Sequence, residues 1–253
     1  MTRALIGHTG FVGSNLRDAG HYDAFYNSAN STEMRGREFD EVVCAGVSAV
    51  KWKANREPDA DWAQISALIE NLRQLRVRRF VLISTVDVYQ HPIGVTEDDA
   101  ADEEGAAYGV HRAKLERFVA ETFPNHAIVR LPALYGPGLR KNGIYDLQHD
   151  NMIESINPGG CFQWYDVSCL HGDLKKIAEG KVKLINIAVE PVRMSEIGDR
   201  FFPGKLRPLD PLEAAPRYDM HTRHAPLLGG TTRYHYTREQ VLGGIEAYLK
   251  AGK

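Results

Sequence analysis

Three glycines near the N-terminus constrain this chain more than any other feature. Gly7, Gly10 and Gly13 are spaced G-x-x-G-x-x-G directly after the apolar run Ala4-Leu5-Ile6. Phe11 to Ala19 then has the pattern of an amphipathic helix, closed by Gly20. A strand that enters a helix through so tight a turn needs a residue free to take unusual backbone angles, and Gly7 is placed for it. Gly10 leaves room for a ligand to approach the main chain, and Gly13 lets the helix pack close to the strand. The free N–H groups at the helix start, with the positive end of its dipole, suit a pyrophosphate. The turn reads as a dinucleotide cradle at the head of an α/β domain.

The length of 253 residues suits one such domain, or one such domain with a small second lobe. A formal net charge of −2 argues against a nucleic-acid partner, and no apolar run approaches the length of a membrane span, so no membrane partner is expected either. The apolar start breaks at Gly7, too soon for a signal peptide. Cys44, Cys161 and Cys169 form no C-x-x-C pair and are odd in number, so a reduced, cytoplasmic setting is expected. His221, Arg223 and His224 fit no standard metal-ligand spacing, Asp166, His171 and Asp173 lack support, and no metal is expected.

Along the chain, Ala24 to Asn27 reads as a second strand. In many dinucleotide-binding folds an acidic residue near its end bonds the ribose 2′-hydroxyl. Here the positions are Asn27, Ser28 and Asn30, with Arg35 and Arg37 beyond, which leans toward a 2′-phosphate, hence NADP, and leaves NAD open. Only a short polar connection precedes the strand Glu41 to Val47, so one edge element of the usual doubly wound sheet is expected to be missing or reduced. Ala45 and Gly46, small residues at that strand's C-terminal end, would let a cofactor lie against the backbone.

Lys51 to Arg56 reads as a loop, and Pro58 and Asp59 open a long helix with Trp62, Ile65, Ile69, Leu72 and Leu75 at helical spacing. Phe80 to Thr85 is a buried parallel strand that delivers two hydroxyls, Ser84 and Thr85, at its C-terminal end. The acidic stretch from Glu97 to Glu104 reads as a solvated flap. On the next helix Tyr108, Arg112, Leu115 and Val119 share one face. The strand Ala127 to Pro132 runs into a sharp turn, Ala133 to Gly138; a further β–turn–helix unit spans Val182 to Ala188 and Met194 to Phe202. Arg238 to Lys250 is a terminal helix.

Five motifs in this order resemble the extended short-chain dehydrogenase/reductase superfamily, within it the NAD-dependent epimerase/dehydratase family. They are the glycine turn, Ile83-Ser84-Thr85-Val86-Asp87-Val88-Tyr89, the helix at Tyr108, Arg130-Leu131-Pro132-Ala133-Leu134-Tyr135-Gly136-Pro137, and Ile185-Asn186-Ile187-Ala188-Val189-Glu190-Pro191-Val192. The resemblance implies a Rossmann-like doubly wound parallel sheet. Its dinucleotide-binding region is expected in residues 1–138, with 180–202 adding to it, and a small substrate-binding lobe in 139–179 and 203–253. It also implies NAD(P) and a catalytic set of Thr85, Tyr108 and Arg112. The implied cofactor contacts are Gly7, Thr9, Gly10, Phe11, Val12 and Gly13 in the turn and Asn27, Ser28 and Asn30 after the second strand. Ala45, Gly46, Ser84 and Leu131 at the later strand ends, with Tyr108 and Arg112, complete them.

The chemistry is consistent with that set. Hydride transfer between an alcohol carbon and nicotinamide requires a group to hold the hydroxyl proton. A free tyrosine, with a pKa of about 10, is too protonated to act as base at neutral pH unless a fixed cation favours its phenolate. Three departures narrow the reading. Arg112 stands where the family carries lysine, Val86-Asp87 replaces an Asp-Glu pair typical of dehydratases, and Ala133 replaces an asparagine frequent in sugar-nucleotide enzymes. The expected function is an NAD(P)-dependent oxidoreductase or epimerase acting on a hydroxyl-bearing small molecule of carbohydrate-derivative class. The alternative is a non-catalytic NAD(P)-binding redox sensor or scaffold. Related proteins pair the two helices near 60–76 and 107–122 across a dimer axis, so a homodimer is expected.

Overall fold

In the computed structural model, which describes residues 1–252, the first apolar run forms β1 (Arg3–Ile6), and the glycine turn leads into α1 (Phe11–Ala19). Next come β2 (Ala24–Tyr26), β3 (Glu38–Cys44), α2 (Lys51–Arg56), α3 (Pro58–Leu72), β4 (Arg76–Thr85), α4 (Ala107–Thr122) and β5 (His126–Leu131). The middle of the chain holds β6 (Ala133–Tyr135), α5 (Gly143–His149), β7 (Cys161–Phe162) and β8 (Trp164–Asp166). The remainder holds α6 (Leu170–Glu179), β9 (Leu184–Asn186), β10 (Val192–Arg193), α7 (Met194–Phe201) and α8 (Arg238–Ala251).

Six of these strands form one parallel sheet in the order β2-β1-β3-β4-β5-β9. The sequence expectation of a Rossmann-like parallel sheet holds, and so does that of a reduced edge. A single 3-10 turn, Ser31–Met34, follows β2, and the chain then returns directly to β3, leaving β2 at the sheet's edge. The central strands read as apolar runs because helices cover both faces of a parallel sheet. The α3 stripe of Ile65, Ile69 and Leu72 and the α4 residues Leu115, Phe118 and Val119 pack with Val42, Phe80 and Leu82. Phe80 stacks on Phe123 with ring centroids 4.3 Å apart. Each buried Leu, Ile or Phe in such a layer contributes about 1.5–3 kcal/mol.

The chain divides into two units. The first takes residues 1–90, 97–131 and 170–186, and the second takes 91–96, 132–169 and 187–253. The segment expected to add to the nucleotide half therefore splits: β9 joins the sheet beside β5, while Val192-Arg193 pairs antiparallel with Cys161-Phe162 in the second unit. α6 goes the other way, packing on α1 in the first unit.

Two local expectations are corrected. Lys51 to Arg56 is a short helix rather than a loop. The acidic flap is partly built in: Glu97 is buried and accepts the Asn186 N–H at 2.8 Å, and Asp102 accepts the Gln90 N–H at 2.5 Å. Within the second unit Gln163, fully buried, donates to the Val189 and Met220 carbonyls and accepts from the Met220 N–H. Thr237 and Gln240 form a reciprocal capping box at the start of α8.

Candidate active site

In a parallel sheet the C-terminal strand ends share one edge, where loops are free to hold a ligand. The glycine turn follows β1, Ala45 and Gly46 follow β3, Ser84 and Thr85 close β4, and Leu131 closes β5, so all of them lie along that edge. Gly7 has φ +84°, and a Cβ there would lie 2.3 Å from the Ala45 carbonyl oxygen. A Cβ on Gly13 would lie 2.0 Å from the Gly7 carbonyl oxygen. At Gly10 the sole neighbour would be that same oxygen at 3.5 Å, so the ligand side of the turn is open. The first hydrogen bond into α1 is from Ser14 N–H to the Gly10 carbonyl at 2.8 Å. The N–H groups of Phe11, Val12 and Gly13 therefore stand outside the helical ladder. No side chain caps this end and no acidic residue occupies its first turn. An open row of donors at a helix start, with no competing carboxylate, fits the diphosphate of a dinucleotide.

After β2, Asn30 spends both ends of its side chain on the loop: its oxygen accepts the Asn27 N–H at 2.8 Å and its NH2 donates to the Phe25 carbonyl at 3.1 Å. The Asn27 oxygen accepts the Ala29 N–H at 2.8 Å. That leaves Ser28, which is exposed, and the Asn27 NH2 as donors toward a ribose or its phosphate. The first carboxylate beyond β2 is Glu33.

Thr85 and Tyr108 meet because Gly109 has no side chain. A Cβ there would come within 1.9 Å of the Asp87 carbonyl oxygen, so the first turn of α4 rests directly on the chain leaving β4. The Tyr108 N–H is fixed by the Asn55 side-chain oxygen at 2.9 Å. The Thr85 hydroxyl oxygen accepts the Asp87 N–H at 3.2 Å, and Thr85 lies near enough to the Tyr108 phenol to favour its ionised form. Burial pushes that phenol up, and the Asp87 charge adds to the rise. Arg112, Thr85 and Lys51 pull the other way without cancelling it. The expectation of a phenol lowered by its cation is corrected: Tyr108 holds its proton at neutral pH.

Arg112 explains part of that balance. Its guanidinium lies over the face of the Tyr108 ring, 3.9 Å from the centroid, rather than beside the hydroxyl. It grips Asp61 bidentately, Nη1 to Oδ2 at 2.7 Å and Nη2 to Oδ1 at 3.0 Å. The other two terminal N–H bonds go to the Tyr108 carbonyl at 3.0 Å and the Ser48 carbonyl at 2.6 Å. All four terminal hydrogens are thus taken inside the protein. Asp61 also takes His111 Nδ1 at 2.8 Å. Burial raises the Asp61 carboxyl, but the Arg112 and His111 hydrogen bonds outweigh it and hold the carboxyl below its usual range. Sequence reasoning missed Asp61; its one legible signal was a carboxylate in the first turn of a helix, a position with a common capping role.

Ser84 is committed in the same way. Its hydroxyl donates to Glu116, which is buried against Arg130, and Arg130 in turn reaches the Tyr89 hydroxyl. Ser84, expected at the cofactor, thus opens a buried chain of polar groups. Leu131 is buried at the end of β5. Thr9 and Gly46 are exposed, and Ala45 is half-buried. Lys51 was not anticipated at all, and its Nζ stands 2.6 Å from Asp87 Oδ1. Trp164 and Tyr165 belong to the core of the second unit, while Trp52 is 63% exposed. Among the described residues no group of His, Cys, Asp and Glu could hold a metal ion, and no helix is long and apolar enough to cross a membrane.

Solved structures share this architecture over its full length. MoeE5, in complex with UDP-glucose and NAD, is 18% identical and superposes with a TM-score of 0.74 over 99% of this chain and 98% of that one. A dTDP-4-dehydrorhamnose reductase from Bacillus anthracis str. Ames, in complex with NADP, is 17% identical with a TM-score of 0.77 over all of both chains. A UDP-glucose 4-epimerase from Thermotoga maritima, with UDP-glucose, is 16% identical with a TM-score of 0.72, again over all of both chains. At these identities the likeness is one of fold. No curated protein matches the chain in sequence. The profile of the NAD dependent epimerase/dehydratase family matches residues 26–173, a stretch that begins after the glycine turn and takes in β3 to β5 with Thr85, Tyr108 and Arg112. With more than half its length matched, the chain belongs to the NAD dependent epimerase/dehydratase family.

Proposed function

We propose that this protein is an NAD(P)-dependent oxidoreductase or epimerase that acts on a hydroxyl- or carbonyl-bearing carbohydrate derivative. The observation that carries the reading is the close packing of Gly109 on the chain leaving Thr85, which brings Tyr108 to the sheet edge that also holds the open glycine turn. The solved neighbours hold NAD or NADP and sugar nucleotides, which supports the substrate class. When bound, the nicotinamide would give or accept the hydride. The amides of Phe11, Val12 and Gly13 would hold its diphosphate, and Ser28 with the Asn27 NH2 would meet the adenosine ribose. With no carboxylate before Glu33, that end leans toward a 2′-phosphate. Thr85 would hold the substrate oxygen in line while Tyr108 gives its proton to that oxygen in reduction or takes it back in oxidation. Because burial keeps the phenol protonated, the residues favour reduction at neutral pH and oxidation at alkaline pH. The second unit would carry substrate recognition.

Titration with NADPH and NADH tests the cradle, with Trp52 as a fluorescent reporter exposed on α2. Failure of both to bind at millimolar levels would sink the proposal. Tyr108→Phe should keep cofactor affinity and lower turnover at least a hundredfold, within the range general acid–base catalysis supplies, roughly 10²–10⁴-fold. The commitment of Arg112 to Asp61 supports the second reading, a non-catalytic NAD(P)-binding sensor or scaffold. Tight NADPH binding with no turnover on a panel of nucleotide sugars, ketoses and alcohols would favour it.

A further inference from the structure

A phenol that must release and regain a proton works best near a cation, and in this chain the cation one helical turn away is already paired with a buried carboxylate. We propose that Lys51 is a positioning residue of this site, supplying through its ion pair with Asp87 the counter-charge that Arg112 has committed to Asp61. The inference rests on the reading of Tyr108 as the proton-transferring group.

The geometry is specific. Lys51 is the first residue of α2, and its Nζ lies 2.6 Å from Asp87 Oδ1. The other oxygen of the same carboxylate, Oδ2, is 3.4 Å from the Thr85 hydroxyl. The Asp87 backbone touches Thr85 and the residue that follows Tyr108. Its N–H donates to Thr85, and its carbonyl occupies the space where a Gly109 side chain would stand, one residue after Tyr108. Asp87 thus lies against Thr85 and the first turn of α4, and a negative charge there opposes the phenolate. Lys51 offsets that charge from the solvent side, its side chain 45% exposed against 19% for Asp87. The groups that act on Tyr108 lie on two sides of it. They are Arg112 over its ring, with Asp61 and His111 behind it, and Thr85, Asp87 and Lys51 on the side of the chain leaving β4. Of the cations in this set Lys51 has the most exposed side chain, 45% against 5% for Arg112 and 11% for His111.

The test reads the phenol directly and needs neither substrate nor cofactor. In Tyr108→3,5-difluorotyrosine the phenol is far more acidic than in tyrosine, which brings its titration into measurable range, and its fluorine resonance reports ionisation. Lys51→Met in this background should raise the midpoint by roughly half to one pH unit, the size expected for a charge several ångströms away at the edge of a protein. Lys51→Arg should keep the original midpoint, and Asp87→Asn should lower it. Lys51 is exposed, so its variants are expected to melt with the parent, and a purely structural lysine would leave the midpoint unmoved. An unchanged midpoint in Lys51→Met, or an equal shift in Lys51→Arg, overturns the proposal. Because NADPH binding and turnover are not read, a negative result here leaves the functional reading standing, and loss of that reading would show in the cofactor titration instead.

Discussion

Arg112→Met is the perturbation for which the structure makes the firmest demand. The substitution keeps a long apolar stem but removes a guanidinium whose side chain is 5% exposed and whose partner, Asp61, is 8% exposed. Four hydrogen bonds disappear, two to the carboxylate and two to the Tyr108 and Ser48 carbonyls. Removing one partner of a buried ion pair costs about 3–5 kcal/mol, because the other charge is left without compensation. His111 still reaches Asp61 at 2.8 Å, which places the cost near the lower end. For a chain of this size about 3 kcal/mol corresponds to a fall in Tm of roughly 6–12 °C. The pH dependence has a definite sign. In the parent the Asp61 carboxyl is held below its unfolded value of about 3.9, so its contribution is fully present above that pH and is lost as pH falls through the lower folded value. Without Arg112, burial is no longer outweighed and the folded value rises above the unfolded one. The variant then gains stability as the pH falls toward that raised value, and the gap to the parent narrows. Paired thermal melts at pH 8 and pH 5 measure both effects. A fall in Tm of less than 2 °C, or a gap that stays constant between the two pH values, would refute the assignment of Arg112 to a buried structural pair. Arg112→Lys should recover part of the loss only, since one ammonium cannot reproduce the four-acceptor fork.

The glycine turn separates folding from binding. Gly13→Ala would drive a Cβ into the Gly7 backbone at 2.0 Å, so both melting temperature and NADPH affinity should fall. Gly10→Ala meets nothing closer than 3.5 Å and should melt with the parent while cofactor affinity drops at least tenfold; equal affinity would mean that no ligand approaches there. Cys44 is fully buried with its thiol pushed up by burial to about 11. It should resist alkylation at pH 8 until the protein unfolds, whereas exposed Cys169 reacts at once, as peptide mass mapping would show. The groove between α3 and α4, where Trp62, Ile69 and Phe118 lie within a rim of mixed charge, is the proposed face for self-association. Light scattering should then give twice the 28.3 kDa chain mass, and a monomer at high concentration would remove that proposal.

The features legible in the sequence are those written in neighbouring residues. The turn at Gly7, Gly10 and Gly13, the apolar run from Phe80 to Leu82 and the helical stripe of Ile65, Ile69 and Leu72 each encode their own local geometry, because side-chain periodicity and glycine's backbone freedom act over a few residues. The parallel sheet follows from such runs alternating with helices. The reduced edge was legible too, since the chain between Tyr26 and Glu38 is too short to hold a helix and a further strand. Other features depended on residues far apart in the chain. Nothing near Arg112 in sequence announces Asp61, which lies 51 positions earlier, nor does Ser84 announce Glu116. Lys51 sits on a six-residue helix too short to show periodicity, and it reaches Asp87 across 36 positions. The Tyr108 shift, expected downward from its cation, runs upward, because its direction depends on how much water the folded chain removes from the phenol and on which charges it places around it. One-dimensional pattern carries local conformation and burial. Which charge meets which is settled only when α2, α3 and α4 pack together at the end of β4, and that packing gives the arginine beside the tyrosine its carboxylate partner.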